Sequence, residues 1–114
     1  MLHFYFKKQF RLSNETHFSF VFKKPVKLEI SEIIMLSRFN SLEYSRLGLS
    51  ITKKNIRHAH ERNRLKRLIR ESFRLSQHKI IRIDVIIIAK KNAIQLNSAV
   101  LREKMEKLWL HYYQ

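Results

Sequence analysis

Cysteine is absent from the chain, and its 114 residues include one glycine, Gly48, and one proline, Pro25. Without cysteine there is no disulfide framework, no thiolate nucleophile and no cysteine-based zinc site, which fits a cytosolic protein without demanding one. With so little glycine and proline there is no flexible linker and no evident domain boundary, so one domain is expected over residues 1–114, with about 10–110 as the folded core. No run of about 18 apolar residues occurs, which argues against a membrane span. The opening "MLHFYFKKQFRL" places its apolar part before its charges and has no small-residue cleavage site, so it reads as mature chain and not as a signal peptide. Acidic residues are scarce too: Asp84 is the one Asp, and the Glu residues are scattered. Metal-dependent phosphodiester cleavage asks for clustered carboxylates, and no such cluster is evident.

What the sequence has in excess is positive charge. Lys and Arg number 24 against 9 Asp and Glu, a net +15 and a pI near 10.6. Such a field attracts polyanions and favours phosphate contacts through counterion release. Hydrophobic residues make up 45%, with eight Phe, enough to build a core; this is a folding domain and not a basic tail.

Along the chain, Ser13 and Asn14 are candidate N-caps for a short helix over "ETHFSFVF", which must stop before Pro25. Phe18 and Phe22 share a face of it at i, i+4. "VKLEI" and "EIIMLSRF" read as strands, and "SLEYS" as a turn. "RLGLSIT" is a strand with Leu47, Leu49 and Ile51 on one side and Arg46, Gly48, Ser50 and Thr52 on the other. Glycine there marks either a close approach of backbone or ligand, or a bulge or tight packing. "IDVIIIAKK" reads as a strand buried on both sides. "NSAVLREKMEKLWLHYY" closes the chain as a helix with Leu101, Met105, Leu108 and Tyr112 on one side. The fold class expected is α+β, in the order α-β-β-β-α-β-α, with a small sheet.

"ERNRLKRLIRESFR", Glu61 to Arg74, carries the sharpest signal. At about 100° per residue, Leu65, Leu68, Ile69, Ser72, Phe73 and Leu75 fall in one arc, and Asn63, Lys66, Arg67, Arg70 and Arg74 in the next, with Arg62 at its edge. Charge runs are usually solvated faces, but those mix signs at i, i+4. Here Arg62, Lys66, Arg70 and Arg74 repeat one sign, at a cost in repulsion unless an anion sits opposite. A nucleic-acid face follows, extended by Lys53, Lys54 and Arg57. Arginine favours bidentate and stacking contacts. Exposed Phe rings stack unpaired bases, whereas a Phe on a helix more often packs a core.

Enzyme readings find little support. His58 and His60 form an H-x-H pair without a nearby Cys or Asp, Ser50, Thr52 and Ser72 lack a base, and Asp84 reads as a structural partner for an arginine. Three non-enzymatic readings of the basic face stand open. A ribosomal-type RNA-binding protein would use the same face. A DNA regulator would need base-reading residues, and only Asn63 qualifies. A membrane-surface helix would need the apolar arc that must cover the sheet.

"RLGLSITKKN" followed by "AHERNRLKRLIRESFR" closely resembles the protein subunit of bacterial ribonuclease P, as do "HFSFVF" and "DVIIIAKK". Together these segments cover about residues 10 to 110. The resemblance implies a ribosomal-protein-like α+β fold with a small mixed sheet and a left-handed crossover into the basic helix. It implies a cytoplasmic ribonucleoprotein, a tRNA-processing endoribonuclease (a hydrolase), whose catalytic RNA removes the 5′ leader of precursor tRNA. The protein then has no catalytic residue, and Mg2+ is bound mainly by the RNA subunit. By the same resemblance Arg62, Asn63, Arg64, Lys66, Arg67, Arg70 and Arg74 face the RNA subunit, while Phe18, Phe22, Lys53, Lys54 and Lys90 hold the leader. No DNA or membrane partner is implied. His17 stands where many members have Asp, and Asn92 where many have Gly.

Overall fold

A computed structural model describes residues 8–114 of the chain, so most of the opening segment read above as mature chain lies outside the described residues. A short 3-10 turn, Lys8–Phe10, leads into helix α1, Glu15–Lys23. Asn14 is the cap: its side-chain oxygen accepts the His17 backbone N–H at 3.0 Å, satisfying one of the helix's orphan donors. The helix ends before Pro25, as the exclusion of helical geometry ahead of proline requires. Three strands follow, β1 (Val26–Glu29), β2 (Ile33–Phe39) and β3 (Arg46–Ser50). Helix α2 (Ala59–Ser76), strand β4 (Ile83–Ala89), a 3-10 turn (Lys91–Gln95) and helix α3 (Ser98–Leu110) complete the expected order.

The sheet runs β1-β2-β4-β3, with β4 antiparallel to β2 and parallel to β3. The last strand in sequence therefore sits inside the sheet, which explains its unbroken β-branched run: every residue from Ile83 to Ile87 is buried. Strand alternation then sorts the core onto two faces. Ile33, Met35, Leu47, Val85 and Ile87 pack with Leu65, Ile69 and Phe73 of α2 and with Met105 and Trp109 of α3. Leu36 and Ile86 point the other way, toward Val21 of α1 and Leu12 ahead of it. Burying the rings of Phe73 and Trp109, 5.7 Å between centroids, leaves an indole N–H to satisfy, and Trp109 Nε1 donates to Ser72 Oγ at 3.1 Å.

On α2, Leu75 departs from the arc assigned to it. It is 48% exposed, while Ser76 is buried. At about 100° per residue Ser76 falls near the middle of the buried arc and Leu75 at its margin, so position outweighs hydrophobicity there.

Asp84 is fully buried and pairs with Arg46, as its isolation in sequence predicted. Arg46 Nε and Nη2 donate to its two carboxylate oxygens at 2.9 and 2.6 Å, and Asn40 Nδ2 donates to Oδ1 at 2.8 Å. Hydrogen bonding to that carboxylate holds the Arg46 guanidinium above its ordinary pKa. The third nitrogen, Nη1, lies 3.2 Å from His17 Nε2 on α1. His17 thus ties the helix to the sheet.

Candidate nucleic-acid interface

The exposed face of α2 presents the cations that its periodicity grouped. Asn63, Lys66, Arg67, Arg70 and Arg74, with Glu71, line a shallow groove of about 470 Å³. Partial burial, and next the cation of Arg11, lower the pKa of Arg70. A guanidinium stays protonated all the same, so an anion and not proton loss relieves this crowding.

Two members of the arginine-asparagine-arginine triplet point elsewhere. Arg62 Nη1 donates to the carbonyls of Ile56 and Arg57, both at 2.9 Å. Arg64 Nη2 lies 3.2 Å from Glu61 Oε2 and 3.3 Å from the Ile94 carbonyl. Of the three, only Asn63 lines the basic groove, while Arg64 lines a neighbouring one of about 390 Å³ with His60, Asn63 and Arg67.

The second surface lies where α1 crosses the sheet. Phe18 and Phe22 stack with centroids 6.3 Å apart and planes 30° from parallel. Phe22 is 51% exposed and Phe18 is half-buried over Gly48. The glycine is there for tight packing: a Cβ at that position would lie 2.8 Å from Phe18 Cζ and 3.1 Å from Leu12 Cβ. Phe18 therefore serves the packing role usual for its type and still shows part of its ring.

Phe18 and Gly48 also border a cavity of about 210 Å³ whose other walls include Arg11, Lys66 and Arg70. Lys66 and Arg70 line this cavity and the basic groove alike, so the two surfaces are continuous. Arg11 was invisible to periodicity because it precedes α1; its nearness in sequence to the Phe pair was the only signal.

Lys53 and Lys54 are exposed on the turn after β3, and Lys90 follows β4. Because those strands are parallel neighbours, the three lysines emerge at one end of the sheet. Asn55 Nδ2 donates to the Ala89 carbonyl at 3.3 Å, joining the two loops. Lys90 is ion-paired with Glu29, which also meets Lys27 at 3.2 Å. Hydrogen bonds from Lys90 and then Lys27 hold the Glu29 carboxyl below its ordinary pKa.

The imidazoles of His58 and His60 stack, 5.6 Å between centroids, and His60 Nε2 lies 3.4 Å from Glu61 Oε1. Among the described residues no three His, Asp or Glu come together as a metal site, and no helix is long and apolar enough to cross a membrane.

Comparison with known proteins gives a consistent result. Residues 6–113 match the protein-family model described as Ribonuclease P. Over 115 residues, and all of both chains, the sequence is 50% identical to the ribonuclease P protein component of Buchnera aphidicola subsp. Acyrthosiphon pisum. It is 43% identical, again over the full length of both, to that of Buchnera aphidicola subsp. Baizongia pistaciae. The RNase P protein of Staphylococcus aureus superposes with a TM-score of 0.81 at 26% identity, covering 90% of this chain and 93% of the other. That of Thermotoga maritima gives 0.79 at 30% identity, over 91% and 98%.

Proposed function

The chain belongs to the ribonuclease P protein family, and from that premise we propose that it holds the 5′ leader of precursor tRNA between α1 and the lysine loops while the outer face of α2 lies on the RNA subunit. The family acts in tRNA 5′ processing together with an RNA subunit, as part of an endoribonuclease. The observation that carries the proposal is the continuity of the two surfaces through Lys66 and Arg70. A protein seated between two polyanions needs cations facing both, and this helix edge supplies them.

The division of labour follows from side-chain chemistry. Phe18 and Phe22 offer ring faces to unpaired bases, a sequence-tolerant contact suited to leaders of varied sequence. Lys53 and Lys54 neutralise leader phosphates as mobile point charges, and Lys90 joins them by exchanging Glu29 for phosphate. Asn63, Arg67 and Arg74 face the RNA subunit, with Arg70 and Lys66 at the junction. Binding energy collected on the leader, away from the scissile bond, orients the substrate for chemistry carried by the RNA. The described residues provide no donor set suited to Mg2+. We assign that ion to the RNA subunit and place the particle in the cytoplasm.

The test is cleavage and binding of 5′-extended precursor tRNA by the reconstituted particle. Replacing Phe18 and Phe22 together with Ala is expected to weaken precursor binding by at least about tenfold, from a stacking contribution of about 1–3 kcal/mol per base. Mature tRNA, which has no leader, is expected to bind unchanged. Equal losses for both species would sink the leader assignment.

A further inference from the structure

We propose that Arg62 and Arg64 are positioning residues that brace the two lysine-bearing loops. This rests on the reading of the site given above and sets the task of two residues within it.

Helix geometry separates the three. With Arg62 at zero and about 100° per residue, the fully buried Phe73 falls at about 20° and Lys66 at about 40°, so Arg62 lies on the core side of Phe73. Arg64 falls at about 200°, beyond the opposite margin of the buried arc, while Asn63 at about 100° sits amid the cations. Two arginines that look like one basic motif in sequence thus leave the helix about 160° apart.

Their contacts match those directions. The two carbonyls that accept from Arg62 end the connection between β3 and α2, the segment that carries Lys53, Lys54 and Arg57. The same segment is pinned by the buried side chain of Ile56 and by its N–H, which donates to the Thr52 carbonyl at 2.8 Å. Arg64 reaches the Ile94 carbonyl in the turn after Lys90 and is steadied by Glu61. With Asn55 bonding to Ala89, the ties from α2 and between the loops form a closed frame. Guanidinium hydrogen bonds to carbonyls are charge-assisted, and in each arginine one terminal nitrogen makes both contacts, at a reach the shorter lysine side chain does not match.

Loss of either arginine then weakens leader binding by releasing the lysine loops and not by deleting a phosphate contact. Salt dependence separates the two cases, because each phosphate contact removed lowers the slope of log affinity against log salt by about one. In the reconstituted particle, Arg62→Ala and Arg64→Ala are expected to weaken precursor binding about tenfold with the slope unchanged. Arg67→Ala, on the outer face, is expected to lower the slope. Hydrogen exchange of the RNA-bound full chain should quicken over residues 52–58 in Arg62→Ala and over 90–96 in Arg64→Ala, and in neither segment for Arg67→Ala. Arg62→Lys and Arg64→Lys keep the charge and carry the test should an alanine variant not fold; neither is expected to restore binding. A slope reduced as in Arg67→Ala, or full rescue by lysine, overturns the proposal. If the Phe18 and Phe22 variants keep full leader discrimination, the reading of the cleft fails, while the exchange and salt data still decide the bracing role.

Discussion

Gly48 and Phe18 show how little room one site residue has. The ring of Phe18 rests where a β-carbon on residue 48 would stand, with Leu12 closing the same space from the other side. Gly48→Ala is expected to displace both, at about 1–3 kcal/mol of stability, the usual cost of overpacking. Because Phe18 also borders the cavity beside Lys66 and Arg70, the same variant should weaken binding of precursor tRNA more than of mature tRNA. Urea denaturation and the ratio of the two affinities measure the effects; a stability loss with the ratio unmoved would detach Phe18 from the leader. Two residues back on the same side of the strand, Arg46, paired with Asp84, reaches α1 through His17, so the residue before Phe18 is itself tied to the sheet.

Helix α2 does three jobs with three faces, and its start is its weak point. His58 occupies the N-cap with extended backbone but makes no side-chain capping bond. Ser at that position, three residues before Glu61, would complete a capping box. His58→Ser is expected to stabilise the domain by about 1 kcal/mol, seen as a rise of about 4 °C in the thermal midpoint. A midpoint that stays put would mean the stacked His58 and His60 rings already supply as much. Periodicity made the helices and strands legible, including the buried arc of α2 and the burial of "IDVIIIA" on both sides. Sheet order was not legible, because hydrophobic alternation fixes which face a residue takes and not which strand lies beside it. Nor were the bonds of Arg62 and Arg64, since a carbonyl acceptor in a loop leaves no trace in side-chain sequence. Leu75 was assigned to the buried arc by its chemical type, where a few tens of degrees around the helix put it at the margin. Arg11 was missed for want of any period to place it.

At the scale of the molecule, +15 charges are gathered within a body whose radius of gyration is 13.3 Å. Self-repulsion on that scale opposes compaction and is screened by salt, while RNA binding draws its strength from the same field. Raising the salt concentration is therefore expected to raise the thermal midpoint of the free protein and to lower its affinity for RNA, two trends of opposite sign from one cause. Thermal melts and binding titrations over a common salt series check both; a midpoint that falls with salt would show that ion pairs such as Arg46 with Asp84 outweigh the repulsion. The position of β4 has one more consequence, for the order of events during synthesis. Both β2 and β3 lean on a strand made after them, and the face it completes is sealed by Trp109 of α3, made later still. Until β4 and α3 have been made, the apolar stripe of the basic helix lacks the surfaces that bury it, so its cations belong to a chain not yet folded around them.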